Sequence, residues 1–192
     1  PRRRDTARAL RRPPHQLEGP APQPRRVHRP KPGPRDLRGR REDLGRVAIS
    51  QRNYALNNPR AYGYGKPLSM EEYLASPPIA HPLCLYDFCQ ETDGGCAILV
   101  TSAERARDLQ QSPAVIRGVS QASTRGQEQM TSYYRDDLTS LPEMELAAER
   151  VYAMSGLGPD DIDAACLYDA FTSEIIMQLE SFGFCARGEG VD

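Results

Sequence analysis

This sequence has no long hydrophobic run and no tryptophan, and its cysteines are odd in number, so they cannot all pair with one another. No uninterrupted apolar run is longer than the five residues of Cys96 to Val100, whereas a membrane-spanning helix needs about 20. Five cysteines form an odd set, and we see no apolar signal segment at the N-terminus, so a disulfide framework is not expected. These absences predict a cytoplasmic protein with reduced thiols and no membrane partner.

Residues 1–41 contain few apolar side chains but most of the positive charge. They hold 13 Arg and one Lys against three acidic residues, a net charge of +11, together with nine of the 17 prolines. The rest of the chain holds 11 basic and 23 acidic residues, a net charge of −12. Because so little apolar surface cannot offset the entropy lost on ordering, we expect residues 1–41 to be disordered.

Three explanations compete for this basic segment. Basic arms that bind nucleic acids usually add aromatic rings or a helix, and residues 1–41 contain no Phe, Tyr or Trp. Organelle-targeting peptides form amphipathic helices, which Pro13-Pro14 and the alternating prolines 30, 32 and 34 prevent. Out-of-frame reading of GC-rich DNA also yields Arg, Pro, Gly and Ala. We favour this third explanation, and we expect no nucleic-acid partner.

From Glu42 onward, helix caps and apolar periodicity predict an α/β chain. Five helices are predicted, several with a Ser cap or a terminal Gly: residues 42–52, 69–76, 102–106, 142–154 and 172–182. Three short apolar runs predict strands: residues 94–101, 115–122 and 162–168. Residues 53–68 are predicted to be an ordered loop with tyrosine anchors. The alternation indicates a mixed or parallel sheet with helices packed on it. No internal repeat is evident.

Three stretches in this order resemble the thiolase superfamily. Residues 89–102 (Cys-Gln-Glu-Thr-Asp-Gly-Gly-Cys-Ala-Ile-Leu-Val-Thr-Ser) are similar to its Asp-Gly strand and following helix. Residues 156–163 (Gly-Leu-Gly-Pro-Asp-Asp-Ile-Asp) resemble the approach to a central strand, and Tyr168-Asp169-Ala170-Phe171 stands where the family has Asn-Glu-Ala-Phe or His-Asp-Cys-Phe. The likeness is strongest to the lipid-transfer-protein branch, with its sterol carrier protein x-like thiolases and steroid side-chain aldolases.

The resemblance, over residues 41–192, implies a partial thiolase fold. Residues 42–111 would form the loop region and the end of the N-terminal domain, and residues 112–192 a truncated C-terminal domain. The implied activity is formation or cleavage of a carbon–carbon bond in an acyl-CoA of lipid or sterol metabolism, with coenzyme A as substrate carrier and no cofactor. The family's acyl-accepting Cys, its His motif and its second Cys have no counterpart here, so we expect this chain alone to be inactive.

Tyr168 is the predicted catalytic residue. Carbon–carbon chemistry on an acyl-CoA needs a proton carrier and a donor to the thioester enolate oxygen, and thiolases add a nucleophilic thiolate. The aldolase relatives dispense with that thiolate and are thought to use tyrosines, which the resemblance places at Tyr168. The competing role is a packed aromatic at a strand end.

Four further residues are predicted to bind the substrate. The resemblance places Cys89 near the pantetheine of coenzyme A and Phe171 at the pocket wall, although a buried thiol and a core ring are the alternatives. Tyr64 and Lys66 lie where the family has a substrate-covering loop, so they could reach the phosphates of coenzyme A; an ordinary surface loop is the alternative. No metal site is expected, because Cys84, Cys89 and Cys96 have no matching downstream pair.

Three function classes remain. The first is a thiolase-like acyltransferase or a retro-aldolase subunit acting on a β-hydroxy acyl-CoA. The second is a non-catalytic module that binds acyl-CoA or docks to another subunit, and the third is nucleic-acid binding by the basic segment. The resemblance implies a homodimer or a small OB-fold partner.

Overall fold

The computed structural model describes residues 40–125 and 137–191. Its helices are α1 Arg41–Leu56, α2 Met70–Ala75, α3 Ala103–Ala106, α4 Pro142–Ser155 and α5 Thr172–Ser181. Strands β1 Pro78–Ala80 and β2 Leu83–Cys84 form a small antiparallel sheet. Single 3-10 turns occupy Leu85–Asp87 and Pro159–Asp161.

All five predicted helices are confirmed, and most of their ends agree with the caps read from the sequence. The Ser69 hydroxyl accepts from the Glu72 amide at 3.1 Å, and the Ser102 hydroxyl accepts from the Arg105 amide at 3.4 Å. Gly156 ends α4 with φ at 69°, and Gly183 follows α5 with φ at 77°. Such left-handed positions favour glycine because it has no Cβ.

The main hydrophobic core lies where α1 crosses α2. Ala48 of α1, Leu68, Tyr73 and Cys84 are buried there, and Tyr73 and Cys84 have no exposed surface. Gly45 allows the helices to approach closely, since a Cβ at this position would lie 2.8 Å from both the Met70 sulfur and a Tyr73 ring carbon. α5 in turn packs against both α1 and α4.

None of the three predicted strands is a strand among the described residues. Residues 94–101 are all exposed, with Ile98 and Leu99 at 85% and 84% exposure. Residues 115–122 lie along α4 instead, where the Ser120 hydroxyl donates to the Ala147 carbonyl at 2.6 Å. Residues 162–168 pair with no strand either. A strand needs a neighbour to take its backbone hydrogen bonds, and the described residues supply none here.

The α/β class nevertheless stands, because the described residues combine helices, a small antiparallel sheet and extended apolar segments.

The predicted disordered segment, residues 1–41, lies outside the described residues except for Arg40 and Arg41. Arg41 is the first residue of α1. Its guanidinium group donates to the carbonyls of Leu74 and Ser76 at 3.2 and 3.1 Å. Arg41 therefore belongs to the folded part, where it binds carbonyls that α2 leaves unpaired at its end.

The helices that the structure describes include none with the length and apolarity needed to cross a membrane.

Replacing Gly45 with Ala should destabilise the chain, although Ala is the better helix former by about 1 kcal/mol. The added methyl would meet Tyr73 and Met70 at 2.8 Å, and overpacking costs about 1–3 kcal/mol. The two effects leave an expected net loss of up to about 2 kcal/mol in urea unfolding of the full chain. Ser50→Ala, at an exposed position of the same helix, is the matched control and should change stability little. A more stable Gly45→Ala variant would contradict the close contact.

Candidate functional site

A buried carboxylate, Asp87, connects three parts of the fold. Only 1% of Asp87 is exposed. Its Oδ1 accepts hydrogen bonds from the hydroxyls of Tyr73 at 2.8 Å and Thr172 at 2.6 Å, and its Oδ2 accepts from the Cys84 amide at 2.8 Å. Burial, and then the bond to Asp87, raises the pKa of Tyr73 far above its ordinary value, so Tyr73 remains a donor.

Next to Asp87, residues 88–89 contact the segment that precedes α5. Phe88 and Phe171 form an isolated antiparallel bridge, and their rings meet edge-to-face with centroids 5.2 Å apart. The Cys89 amide donates to the Ala170 carbonyl at 3.0 Å. Two of the stretches that carry the resemblance, 89–102 and 168–171, are therefore in contact.

An open groove of about 600 Å³ lies beside this contact. Its walls come from α1, the loop after α1, the segment after β2 and the turn before α5. The polar and aromatic lining residues include Arg52, Tyr62, Lys66, Tyr86, Cys89 and Asp169. A groove of this size can accommodate part of a cofactor-sized molecule.

Two cations that line the groove each lie against an aromatic ring that also lines it. The Lys66 ammonium lies 3.9 Å from the Tyr62 ring centroid, and the Arg52 guanidinium lies 6.0 Å from that of Tyr86. Arg52 also donates to the Lys66 carbonyl at 2.9 Å. The Tyr86 hydroxyl donates to Glu72 at 2.7 Å, and this bond raises the pKa of Tyr86. The lining therefore combines positive charge with aromatic rings, which suits an anionic ligand that carries a ring.

The groove brings together two of the five predicted site residues. Cys89 and Lys66 line it, whereas Tyr64, Phe171 and Tyr168 do not. Cys89 is exposed, so the alternative of a buried thiol is not met in this chain. Phe171 packs on Phe88, so its contact is with the wall behind the groove.

Tyr168 lies next to the groove-lining Asp169 and is 71% exposed. The alternative of a packed strand-end ring is therefore not met. Its backbone carbonyl accepts from the Gln178 amide group at 2.5 Å, and Gln178 itself is buried in α5. No hydrogen bond to its hydroxyl occurs within residues 40–125 and 137–191.

The predicted ordered loop, residues 53–68, begins only after α1 ends at Leu56, so Tyr54 lies in α1 while Tyr62 and Tyr64 lie in the loop. None of these tyrosines is a buried anchor as predicted. Tyr54, Tyr62 and Tyr64 are 80%, 70% and 51% exposed. Successive backbone turns shape this loop, with the Tyr64 amide donating to the Ala61 carbonyl at 3.0 Å.

Within the described parts of the chain, no three His, Cys, Asp or Glu side chains approach closely enough to hold a metal ion.

Comparisons with known proteins identify the relatives of this chain. A family model described as Thiolase C-terminal domain-like matches residues 124–192. A steroid side-chain-cleaving aldolase of Thermomonospora curvata is 52% identical over 151 residues, which is 79% of this chain and 39% of that protein. The chain belongs to the thiolase superfamily.

Another relative and a solved structure are similar to this chain to nearly the same degree. The 17-hydroxy-3-oxo-4-pregnene-20-carboxyl-CoA lyase of Mycobacterium tuberculosis is 51% identical over 150 residues, 78% of this chain and 39% of that one. The solved structure named Ltp2-ChsH2(DUF35) aldolase matches with a TM-score of 0.77 and 51% identity, over 80% of this chain and 40% of that chain. The thiolase-like chain therefore spans about two fifths of the length of these relatives.

Sequence reasoning missed Asp87, Thr172 and Gln178. A signal for Asp87 was present, because a carboxylate between Leu85-Tyr86 and Phe88 must find donors if that apolar stretch is buried. A second signal is the tetrapeptide Cys-Leu-Tyr-Asp, which occurs at 84–87 and again at 166–169. The structure places the first Asp in the core and the second on the groove.

The buried and exposed thiols of this thiolase-like chain should differ in their rates of alkylation. Cys84 is buried, whereas Cys89, Cys96 and Cys166 are exposed, so a brief treatment with iodoacetamide should label those three and leave Cys84 unmodified. Peptide mass spectrometry would locate the label, and labelling in urea, where all five should react, is the control. Native labelling of Cys84 as fast as Cys89 would contradict the described core.

Proposed function

We propose that this chain is the part of a retro-aldolase that carries Tyr168 and part of the coenzyme A site, and that the enzyme acts on β-hydroxy acyl-CoA esters of steroid or lipid origin. One observation carries the proposal: the Tyr-Asp-x-Phe motif adjoins a cationic, aromatic groove in a chain about half identical to two proteins named as an aldolase and a CoA-ester lyase.

The chemistry assigns one step to Tyr168. In retro-aldol cleavage the β-hydroxyl loses its proton, the bond between the α- and β-carbons breaks, and the β-carbon becomes a carbonyl. The electron pair moves to the α-carbon as a thioester enolate, which is then protonated. A phenol can donate a hydrogen bond to the enolate oxygen or carry the proton between these positions. The exposure of Tyr168 and its position beside Asp169 support this role.

Lys66 and Arg52 would bind the phosphates of coenzyme A. Their positive charges stand out in a part of the chain that is strongly acidic as a whole, and the rings of Tyr62 and Tyr86 beside them suit a purine. Cys89 lies in the same groove, where the pantetheine would pass. Tyr64 lies in the same loop as Lys66 and remains a candidate contact. Coenzyme A is substrate carrier in this proposal, and no cofactor is needed.

We also propose that the working enzyme contains more protein around this chain. The exposed Ile98, Leu99 and Ile116 support this, because apolar side chains in extended segments need cover. The structural neighbour's name joins Ltp2 with ChsH2(DUF35), which favours a partner protein; an OB-fold partner and a homodimer are the forms that we propose.

The odd cysteine set supports a cytoplasmic location. Thiolytic acyl transfer is the second candidate, and a non-catalytic acyl-CoA-binding module is the third.

Removing the charge of Lys66 should weaken coenzyme A binding to the full chain. Lys66→Met keeps most of the side-chain length and loses one phosphate contact, so Kd should rise about tenfold in calorimetric titration, equivalent to about 1.4 kcal/mol. Arg60→Met removes a charge from the same loop outside the groove and should leave Kd nearly unchanged. Equal effects of the two variants, or no binding by the unmodified chain, would refute the groove assignment.

Tyr168→Phe should abolish most of the cleavage activity in an enzyme of full length. The test uses a chimera in which residues 42–192 replace the matched segment of the Thermomonospora curvata aldolase, assayed with a β-hydroxy acyl-CoA. Loss of the hydroxyl should lower kcat by about 100- to 10,000-fold with little change in Tm.

Tyr54→Phe, at an exposed tyrosine in α1 that does not line the groove, is the control and should keep full activity. An active Tyr168→Phe chimera, or a folded chimera without cleavage, would overturn the proposed function.

A further inference from the structure

The buried carboxylate of Asp87 takes no direct part in the proposed chemistry. With 1% of the residue exposed, it cannot touch a ligand. Yet it accepts three hydrogen bonds, from α2, from its own turn and from the first residue of α5. A buried carboxylate with three donors is held in one orientation, and so are the groups that donate to it.

Three hydrogen bonds hold the segment that leads from Tyr168 into α5. Gln178 donates to the Tyr168 carbonyl at 2.5 Å, Cys89 donates to the Ala170 carbonyl at 3.0 Å, and Thr172 donates to Asp87 at 2.6 Å. The last two reach the segment from residues 87–89. The position of residues 87–89 thus determines where the segment lies relative to the groove.

We propose that Asp87 is a positioning residue, which through Thr172 fixes residues 168–171 against the wall of the groove. This inference rests on the proposed function of that groove. Asp87 fits the role because its other two partners, Tyr73 and Cys84, are fully buried in the core. The carboxylate therefore connects a rigid part of the fold to the turn that carries Tyr168 and Asp169.

The Tyr73 and Thr172 hydroxyls both donate to Oδ1 of Asp87. Removing each hydroxyl in turn distinguishes a positioning role of Asp87 from a role in core stability alone. Thr172→Val removes the donor from α5, and Tyr73→Phe removes the donor from the core. Each leaves Asp87 with two donors, so both should lower the Tm of the full chain. Only Thr172→Val removes the hydrogen bond between Asp87 and the turn before α5. Thr172→Ser keeps a hydroxyl at this position and should keep that hydrogen bond.

Two measurements on the full chain test the proposal. The first is the amide exchange rate of Cys89, which bonds to Ala170, divided by that of Ala48 in the core, so that a change in global stability cancels. The second is the Kd for coenzyme A. Thr172→Val should raise both about tenfold, while Tyr73→Phe and Thr172→Ser should leave both within about twofold of the unmodified chain.

Equal shifts in the Thr172→Val and Tyr73→Phe variants would show that Asp87 only stabilises the core, and would overturn the proposal. So would an unchanged exchange ratio in Thr172→Val. If the unmodified chain does not bind coenzyme A, the proposed function of the groove fails, whereas the exchange ratio still decides whether Asp87 positions the turn.

Discussion

The need to satisfy one buried carboxylate constrains most of this fold. Asp87 lies among apolar residues that pack into the core, and a buried carboxylate without partners would cost several kcal/mol, about the whole stability of a small domain. Its two oxygens instead accept hydrogen bonds from α2, from the last residue of β2 and from α5. α1 packs closely on α2 at Gly45, and the groove lies between α1 and residues 85–90.

The helices could be predicted because their signals are local. Ser69 and Ser102 lie three residues from the amides that they cap, and Gly156 directly follows α4. The strands could not be predicted in the same way, because a strand exists only through a neighbour that accepts its hydrogen bonds. The apolar runs at 94–101 and 162–168 encode side chains suited to a sheet but cannot specify where its other strands lie.

The site was only partly predictable for the same reason. The resemblance to thiolases pointed to Cys89 and Lys66, and the groove brings both together. It could not point to Asp87, whose two side-chain donors lie 14 and 85 positions away along the chain. Nor could composition show that the tyrosines of the loop after α1 are exposed, since backbone turns rather than ring packing shape that loop.

If Tyr168 acts as proposed, its chemistry requires that further protein cover the part of the chain around it. Hydrogen bonds to an enolate oxygen are most effective where water is excluded, yet 71% of Tyr168 is exposed, as are Ile98 at 85% and Leu99 at 84%. Water could compete for the phenol in such a setting, so the proposed chemistry needs further protein over the turn at 168–171. Protein that covered the extended apolar segments as well would bury Ile98 and Leu99 at the same time. The hydrophobic gain from covering those side chains, about 1.5–3 kcal/mol for each residue fully buried, would then favour the assembled state in which Tyr168 can work.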